Sequence, residues 1–162
     1  MRNVLAAMFA LALATSAGAS EWMYEDQGIP IAYFDNGAAQ FQFACRGGDL
    51  AMGFWVRTPQ KQVAEAISMH LAIIADPPAS VRTSSTEGAS FAQDMPLIHS
   101  DGTSMIVRGP VARQWARIAQ KAKRVIRVAY VRKQGTLEVF DSNDFGAAGS
   151  ADAIKRVLDR CG

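Results

Sequence analysis

Strict alternation of apolar and polar residues predicts that the first half of the chain forms a β-sheet. The stretch AAQFQFAC over 38–45 places Phe41, Phe43 and Cys45 on one face of a strand. After the turn residues GGD, LAMGFWV over 50–56 alternates again and predicts the partner strand of a hairpin. Weaker patterns predict four more strands and one helix: strands over 21–24, 29–34, 67–74 and 80–86, and a short helix after Thr58-Pro59.

The apolar spacing becomes helical in two places in the second half of the chain. Gly109-Pro110 opens the first helix, because proline suits the first helical turn. The second helix is predicted over 151–160, after Ser150 as its N-cap. The remaining patterns predict strands over 124–132 and 136–140 and a hairpin around the loop HSDG. The predicted class is α+β, a mainly antiparallel β-sheet covered by two helices.

The first 19 residues carry the features of a secretory signal peptide. An apolar run over 4–14 follows Arg2, and Ala17-Gly18-Ala19 matches the small-residue pattern of a cleavage site. That run is too short to span a bilayer, and no later segment is apolar enough to do so. We therefore predict a signal peptide over 1–19, a single exported domain over 20–162, and a periplasmic or secreted location.

Cys45 and Cys161 are the two cysteines of the chain. Cys45 shares a strand face with Phe41 and Phe43, and Cys161 extends a helical apolar stripe, so both thiols are expected to point into the core. Exported proteins meet oxidising conditions. We predict a disulfide between them that ties the C-terminal helix to an early strand.

The charges of the chain are strongly segregated, although the formal net charge is only +2. Residues 20–101 hold ten acids and four bases, whereas the stretch over 108–133 holds nine bases and no acid. Three of these cations recur every four residues on the predicted helix, opposite the apolar stripe Val111, Trp115, Ile118 and Ala122. The predicted binding residues are Arg113, Arg117 and Lys121, joined by Arg124 and Arg127.

Two interpretations of this basic surface remain open. The cations either solvate one face of the protein and pair with the acids of residues 20–101, or they contact an anionic partner. The partner would be an acidic protein or an anionic component of the bacterial envelope. Export and the lack of interleaved exposed aromatic residues argue against nucleic acid.

Motifs for catalysis and for metal binding are missing from the sequence. The two histidines, His70 and His99, lack metal-ligand spacing, and there is no nucleophile elbow, phosphate loop or dinucleotide fingerprint. The triad residue types of HSDG are consecutive, which does not bring them together in space. We expect a non-enzymatic protein without cofactor or metal, and a hydrolase that uses His99 is a minor alternative.

Both ends of the predicted domain resemble a known scaffold. The N-terminal end contains Trp22, a strand that ends in Cys45, and the stretch LAMGFWV. The C-terminal end consists of TLEVFDSNDFGAAGSADAIKRVLDRC. This arrangement is similar to small exported bacterial proteins, among them the type VI secretion accessory family VasI. The resemblance implies an exported accessory protein of the envelope and supplies no catalytic residues.

The sequence thus favours an exported accessory or binding protein of the bacterial envelope, with the basic helix face as its contact surface. The alternative is a secreted inhibitor of a cell-wall hydrolase, similar to lysozyme inhibitors, which would insert the loop His99 to Gly102 into an active-site cleft.

Overall fold

Two antiparallel β-sheets and three helices make up the fold. A computed structural model describes residues 21–161, so the predicted signal peptide over 1–19 lies outside the described residues. In chain order the elements are β1 (Met23–Asp26), β2 (Pro30–Asp35), β3 (Ala39–Arg46), β4 (Asp49–Val56), α1 (Lys61–Ala64), β5 (Ser68–Ala75), β6 (Ser90–Pro96), β7 (Ile98–His99), β8 (Thr103–Arg108), α2 (Pro110–Lys121), β9 (Val125–Gln134), β10 (Thr136–Gly146) and α3 (Ser150–Arg160).

The predicted α+β class is confirmed, but the strands divide between two sheets rather than one. One sheet has six strands in the order β1-β2-β3-β4-β8-β7, and the other has four in the order β10-β9-β5-β6. The predicted hairpin of β3 and β4 is present, with Phe41 opposite Phe54 and Cys45 opposite Leu50. Alternating burial along both strands matches the alternation in the sequence.

Aromatic side chains fill the space between the two sheets. Phe54 of the six-stranded sheet lies 5.0 Å from Tyr130 of the other, measured between ring centroids, and Phe41 lies 5.7 Å from Phe145. The buried Tyr130 hydroxyl lies 3.1 Å from the carbonyl oxygens of both Phe54 and Thr103. Tyr130 therefore links the sheets through its ring and through its hydroxyl group, and burial raises its pKa.

The two long helices pack against each other and against the six-stranded sheet. The buried face of α2 consists of Ala112, Trp115, Ala116 and Ala119, whereas Val111 and Ile118, predicted to be part of that face, are half-buried. The α3 cap also differs from the prediction: Gly149 occupies the cap position with φ 78°, and Ser150 is the first helical residue. The Ser150 hydroxyl donates instead to the carbonyl of Ala119 in α2.

The predicted strand over 80–86 is wrong, because residues 77–89 form a series of turns. Asp76 adopts φ 51° and Pro77-Pro78 follows it, which ends β5. Backbone hydrogen bonds then close locally, from the Val81 N–H to the Pro78 carbonyl and from the Ser85 N–H to the Arg82 carbonyl. This segment crosses the outer side of β9, which affects the site described below.

The predicted disulfide is confirmed. Cys45 at the end of β3 is bonded to Cys161 immediately after α3, and their Cα atoms are 5.6 Å apart. Both residues are buried. The bond ties the C-terminal helix to the middle of the six-stranded sheet, as the shared apolar faces predict.

Loss of this bond is expected to destabilise the fold. The paired change Cys45→Ser and Cys161→Ser should lower the free energy of unfolding by about 4–5 kcal/mol, because the bond closes a loop across 116 residues. Urea unfolding followed by tryptophan fluorescence measures the change. A reductant should shift the wild-type midpoint and leave the double variant unaffected, and a wild-type midpoint that ignores the reductant would contradict the expectation.

Candidate functional site

The five predicted binding residues occupy three different environments. Arg113, Arg117 and Lys121 lie along one side of α2 and are named here the basic stripe. Arg117 and Lys121 are exposed, and Arg113 is half-buried with its guanidinium 3.4 Å from the carbonyl of Cys161. Together with Pro110, Gln114 and Ile118 they line a shallow depression of about 450 Å³. The structure therefore brings three of the five residues together.

Arg127 does not belong to this surface, which corrects the sequence prediction. Its side chain leaves the outer side of β9, as expected, but Asp144 of β10 lies opposite and the turns over 77–89 cover it. Its guanidinium donates to both Asp144 carboxylate oxygens at 2.6 and 2.9 Å and lies near the carbonyls of Val81 and Arg82. Only 8 % of the residue is exposed. Arg127 is thus a structural clamp between the sheet and the turns.

Arg124 lies beyond the end of α2, and its guanidinium reaches toward the carbonyl of Pro77. The backbone around it is held by Asp76, whose carboxylate accepts from the N–H groups of Lys123, Arg124 and Val125. Burial opposes ionisation of Asp76, but these three hydrogen bonds lower its pKa overall. Arg124 is exposed without being part of the basic stripe.

Four of the ten acids of residues 21–101 form ion pairs with arginine or lysine, all outside the basic stripe. Within residues 21–161, no ion pair involves any of the three stripe cations. The pairs formed by those acids are Asp26 with Arg160, Asp35 with Arg57, Asp49 with Arg108 and Glu65 with Lys61. Of the nine cations of the basic block, Arg108, Arg127 and Arg132 form ion pairs, whereas the three stripe cations form none within residues 21–161.

The loop His99 to Gly102 is held rigidly by the rest of the fold. The two ring nitrogens of His99 lie 3.0 Å from the Thr103 hydroxyl and 2.8 Å from the Ala66 carbonyl. The Trp55 indole N–H donates to the Asp101 carbonyl at 2.7 Å. Gly102 has φ 103°, and a side chain there would collide with the carbonyl of Val56. His99 is therefore engaged in structural contacts through its whole ring.

A second site, which sequence reasoning missed, is a polar cleft where β10 meets the end of β4. Its volume is about 510 Å³. We name it the polar cleft, and its lining includes Arg57, Thr58, Gln60, Ser84, Asp141 and Ser142. The sequence signal is the polar run DSND over 141–144, which interrupts the alternation after Phe140, where the predicted strand over 136–140 ends.

A bulge in β10 shapes this cleft. Phe140 pairs with Tyr130 and Asn143 pairs with Val128, so Asp141 and Ser142 together face only one residue of β9. Asp141 adopts φ 47°, which is uncommon outside glycine. Both oxygens of its carboxylate accept from the backbone N–H of Gln60, at 3.0 and 3.1 Å. Burial raises the pKa of Asp141, and the hydrogen bonds from Gln60 partly oppose that shift.

Arg57 forms the other wall of the cleft and is already paired. Its guanidinium donates to both Asp35 oxygens, at 3.0 and 2.5 Å, and to the Gly37 carbonyl at 3.1 Å. It also lies over the Trp55 ring, 4.5 Å from the centroid. The hydrogen bond from Arg57 lowers the pKa of Asp35.

Comparison with protein-family models, curated proteins and solved structures finds no match for this chain. The resemblance to VasI-like proteins therefore stays a prediction. Among residues 21–161, no helix combines the length and the apolar content that crossing a bilayer requires. The same residues contain no group of three or more His, Cys, Asp or Glu side chains arranged to hold a metal ion.

Asp35 is expected to give the fold a pH-dependent stability. Asp35→Asn should lower the free energy of unfolding by about 1 kcal/mol at neutral pH, discounted for the partial exposure of the pair. Because the folded-state pKa is lowered, this contribution is present above the unfolded-state pKa of about 3.9 and is lost as the pH falls through the folded value.

Urea unfolding of wild type and variant at a series of pH values measures the difference. Glu87→Gln, in the exposed turns, is the matched control and should have little effect at any pH. A cost for Asp35→Asn that is the same in strong acid as at neutral pH would rule out this ion pair as its source.

Proposed function

We propose that the protein is a non-enzymatic, exported accessory protein of the bacterial envelope that binds an acidic protein through the basic stripe of α2. The observation that carries the proposal is the absence of any ion-pair partner for Arg113, Arg117 and Lys121 within residues 21–161, on a helix without an acid, while three arginines of the same basic block are paired. Export is supported by the signal-peptide pattern over 1–19 and by the disulfide.

The stripe has an electrostatic cost when no partner is present. Like charges four residues apart on a helix each destabilise it by about 0.2–0.5 kcal/mol, and the stripe contains two such pairs. Only Lys121 lies in the last turn, where the helix dipole favours a cation. If the helix face served only to keep the protein soluble, an acid at position 117 would serve equally well and would avoid the repulsion. A partner is therefore the simpler reason for three cations at four-residue spacing.

The geometry favours an acidic protein over a lipid surface. Residues 113 and 121 are separated by about 12 Å along the helix axis, which matches acids spaced four residues apart on a partner helix. Arginine binds carboxylates through two parallel hydrogen bonds. An anionic bilayer contributes about 1 kcal/mol per cation near the surface and is usually recognised by clusters of four to eight cations, more than this stripe holds.

Charge reversal of the stripe is expected to abolish partner capture. The double variant Arg117→Glu with Lys121→Glu should lose the partner recovered by crosslinking and pulldown from envelope fractions, because both exposed cations then repel acidic groups. Wild-type capture should weaken as salt is added. The matched control Lys61→Glu with Lys133→Glu changes the net charge equally at exposed positions outside the stripe and should retain the partner.

Retention of the same partner by the stripe variant, or salt-independent binding, would contradict the proposal. Anionic phosphatidylglycerol vesicles serve as a second probe. Sedimentation of wild type with these vesicles, lost in the stripe variant but not in the control, would assign the stripe to a membrane and overturn the acidic-protein partner.

A second candidate function is inhibition of a cell-wall hydrolase by the loop His99 to Gly102. Its support is the rigidity of that loop, since a loop held in one conformation loses little entropy on insertion into a cleft. Two apolar side chains also lie exposed beside it: Ile67 is 88 % exposed and Ile98 is 46 % exposed. The Leu97 N–H donates to the Ile67 carbonyl, so the backbone segments that carry Ile67 and Ile98 lie side by side.

A lysozyme inhibition assay tests this candidate. Wild-type protein at micromolar concentration should slow cell-wall lysis, and Ser100→Arg should remove the effect because it adds bulk at the tip without touching the anchors of the loop. The stripe variant is the control and should inhibit like wild type. Lysis at the uninhibited rate in the presence of wild-type protein would end this candidate.

A further inference from the structure

We propose that the polar cleft, where the bulge of β10 faces Gln60 and Arg57, binds a small neutral ligand rich in hydroxyl groups, of the short-saccharide class. This site is independent of the basic stripe and of the loop His99 to Gly102. Its volume of about 510 Å³ falls within the range of about 300–1,000 Å³ that is usual for small-molecule sites.

Ser142 is the first observation. It lines the cleft, and its hydroxyl oxygen is buried without a hydrogen-bond partner in the part of the chain that the structure describes. Nearly all buried polar groups in folded proteins are paired, so an exception in a cavity wall needs a reason. Serine turns about a single short side-chain bond, so its hydroxyl can reorient toward a ligand at small cost.

The conformation of Asp141 is the second observation. Unusual backbone conformations cost energy, so they persist mainly where function requires them. They and bulges are therefore found preferentially beside functional sites. Two contacts help to hold Asp141 in this conformation. The backbone N–H of Gln60 donates to both of its carboxylate oxygens, and the Asn143 amide donates to its carbonyl at 3.0 Å. A carboxylate has about four acceptor positions, so Asp141 can still accept hydrogen bonds from ligand hydroxyl groups.

The charges around the cleft favour a neutral ligand. An anion would find no free cation, because the Arg57 guanidinium is neutralised by Asp35 and also bonds to Gly37. It would also meet the Asp141 carboxylate. A divalent cation would need several oxygen ligands, and no cluster of three acidic or histidine side chains occurs among residues 21–161.

The remaining lining groups both donate and accept hydrogen bonds. Thr58, Thr83 and Ser84 contribute hydroxyls, and Gln60 contributes a side-chain amide. Adjacent hydroxyls of a sugar also donate and accept, so they complement such a set. The half-buried Val139 adds apolar surface for the carbon face of a sugar ring.

Titration of the disulfide-bonded protein, observed through its backbone amide NMR signals, tests the proposal. The probes are three neutral trisaccharides, namely maltotriose, cellotriose and triacetylchitotriose, with phosphate and citrate as anionic probes. At least one sugar should cause saturable shifts of the amide signals of Thr58, Gln60, 83–84 and 139–143, and the anions should not. Absence of shifts with all three sugars, or shifts with the anions instead, would overturn the proposal.

Two conservative variants identify the contact residues. Asp141→Asn should weaken saccharide binding about tenfold, because asparagine tolerates the backbone conformation but lacks one acceptor oxygen. Thr83→Val, from the turns on the other side, should also weaken it. The control Ser104→Ala, on the outer face of β8, should bind like wild type. Unchanged affinity in both cleft variants would overturn the assignment.

Ser142→Ala separates a ligand role from a structural one. If the hydroxyl is kept for a ligand, its removal should raise the urea midpoint of the free protein, since an unpaired buried group disappears, and should weaken saccharide binding. A lower midpoint together with unchanged binding would show that the hydroxyl only supports the fold, for example through a bound water, and would overturn its role in the site.

Discussion

The aromatic contact between the two sheets is the interaction on which the rest of the structure depends. Phe54 on β4 packs against Tyr130 on β9 and against Phe145 on β10, so one side chain joins strands from both sheets. The Tyr130 hydroxyl adds a polar link to the six-stranded sheet. Because this contact brings β9 and β10 beside the end of β4, it also determines where the polar cleft can form.

In the sequence the basic block over 108–133 is a single run of cations without an acid, whereas in the fold some of these cations are paired and others are not. Arg108, Arg127 and Arg132 find carboxylates in neighbouring strands, and Lys133 stacks on Phe91. The three ion pairs are available because neighbouring antiparallel strands bring charged side chains close to each other. On α2 the neighbouring face belongs to α3 and to apolar sheet residues, so its outer cations remain without such partners.

The two candidate sites have different physical characters. The basic stripe is an exposed, positively charged line of side chains on one regular helix, which suits a macromolecular surface of opposite charge. The polar cleft combines irregular backbone, a half-buried carboxylate and several hydroxyls in a concave space, which suits a small molecule. A protein with both could hold a partner and a ligand at once, because the two sites share no residue.

The sequence by itself determined most of the elements and the disulfide. Alternation over 38–45 and 50–56 and the apolar faces of Cys45 and Cys161 depend on periodicity alone, which any buried strand or helix must obey. It also determined the basic stripe, since cations four residues apart on a helix must lie on one side.

Only the tertiary structure decided that Arg127 is buried, because Asp144 and the turns over 77–89 reach it from other segments. The same holds for the polar cleft, which exists only where a bulge in β10 meets Gln60, 81 residues away in sequence, since local pattern carries no information on such distant contacts.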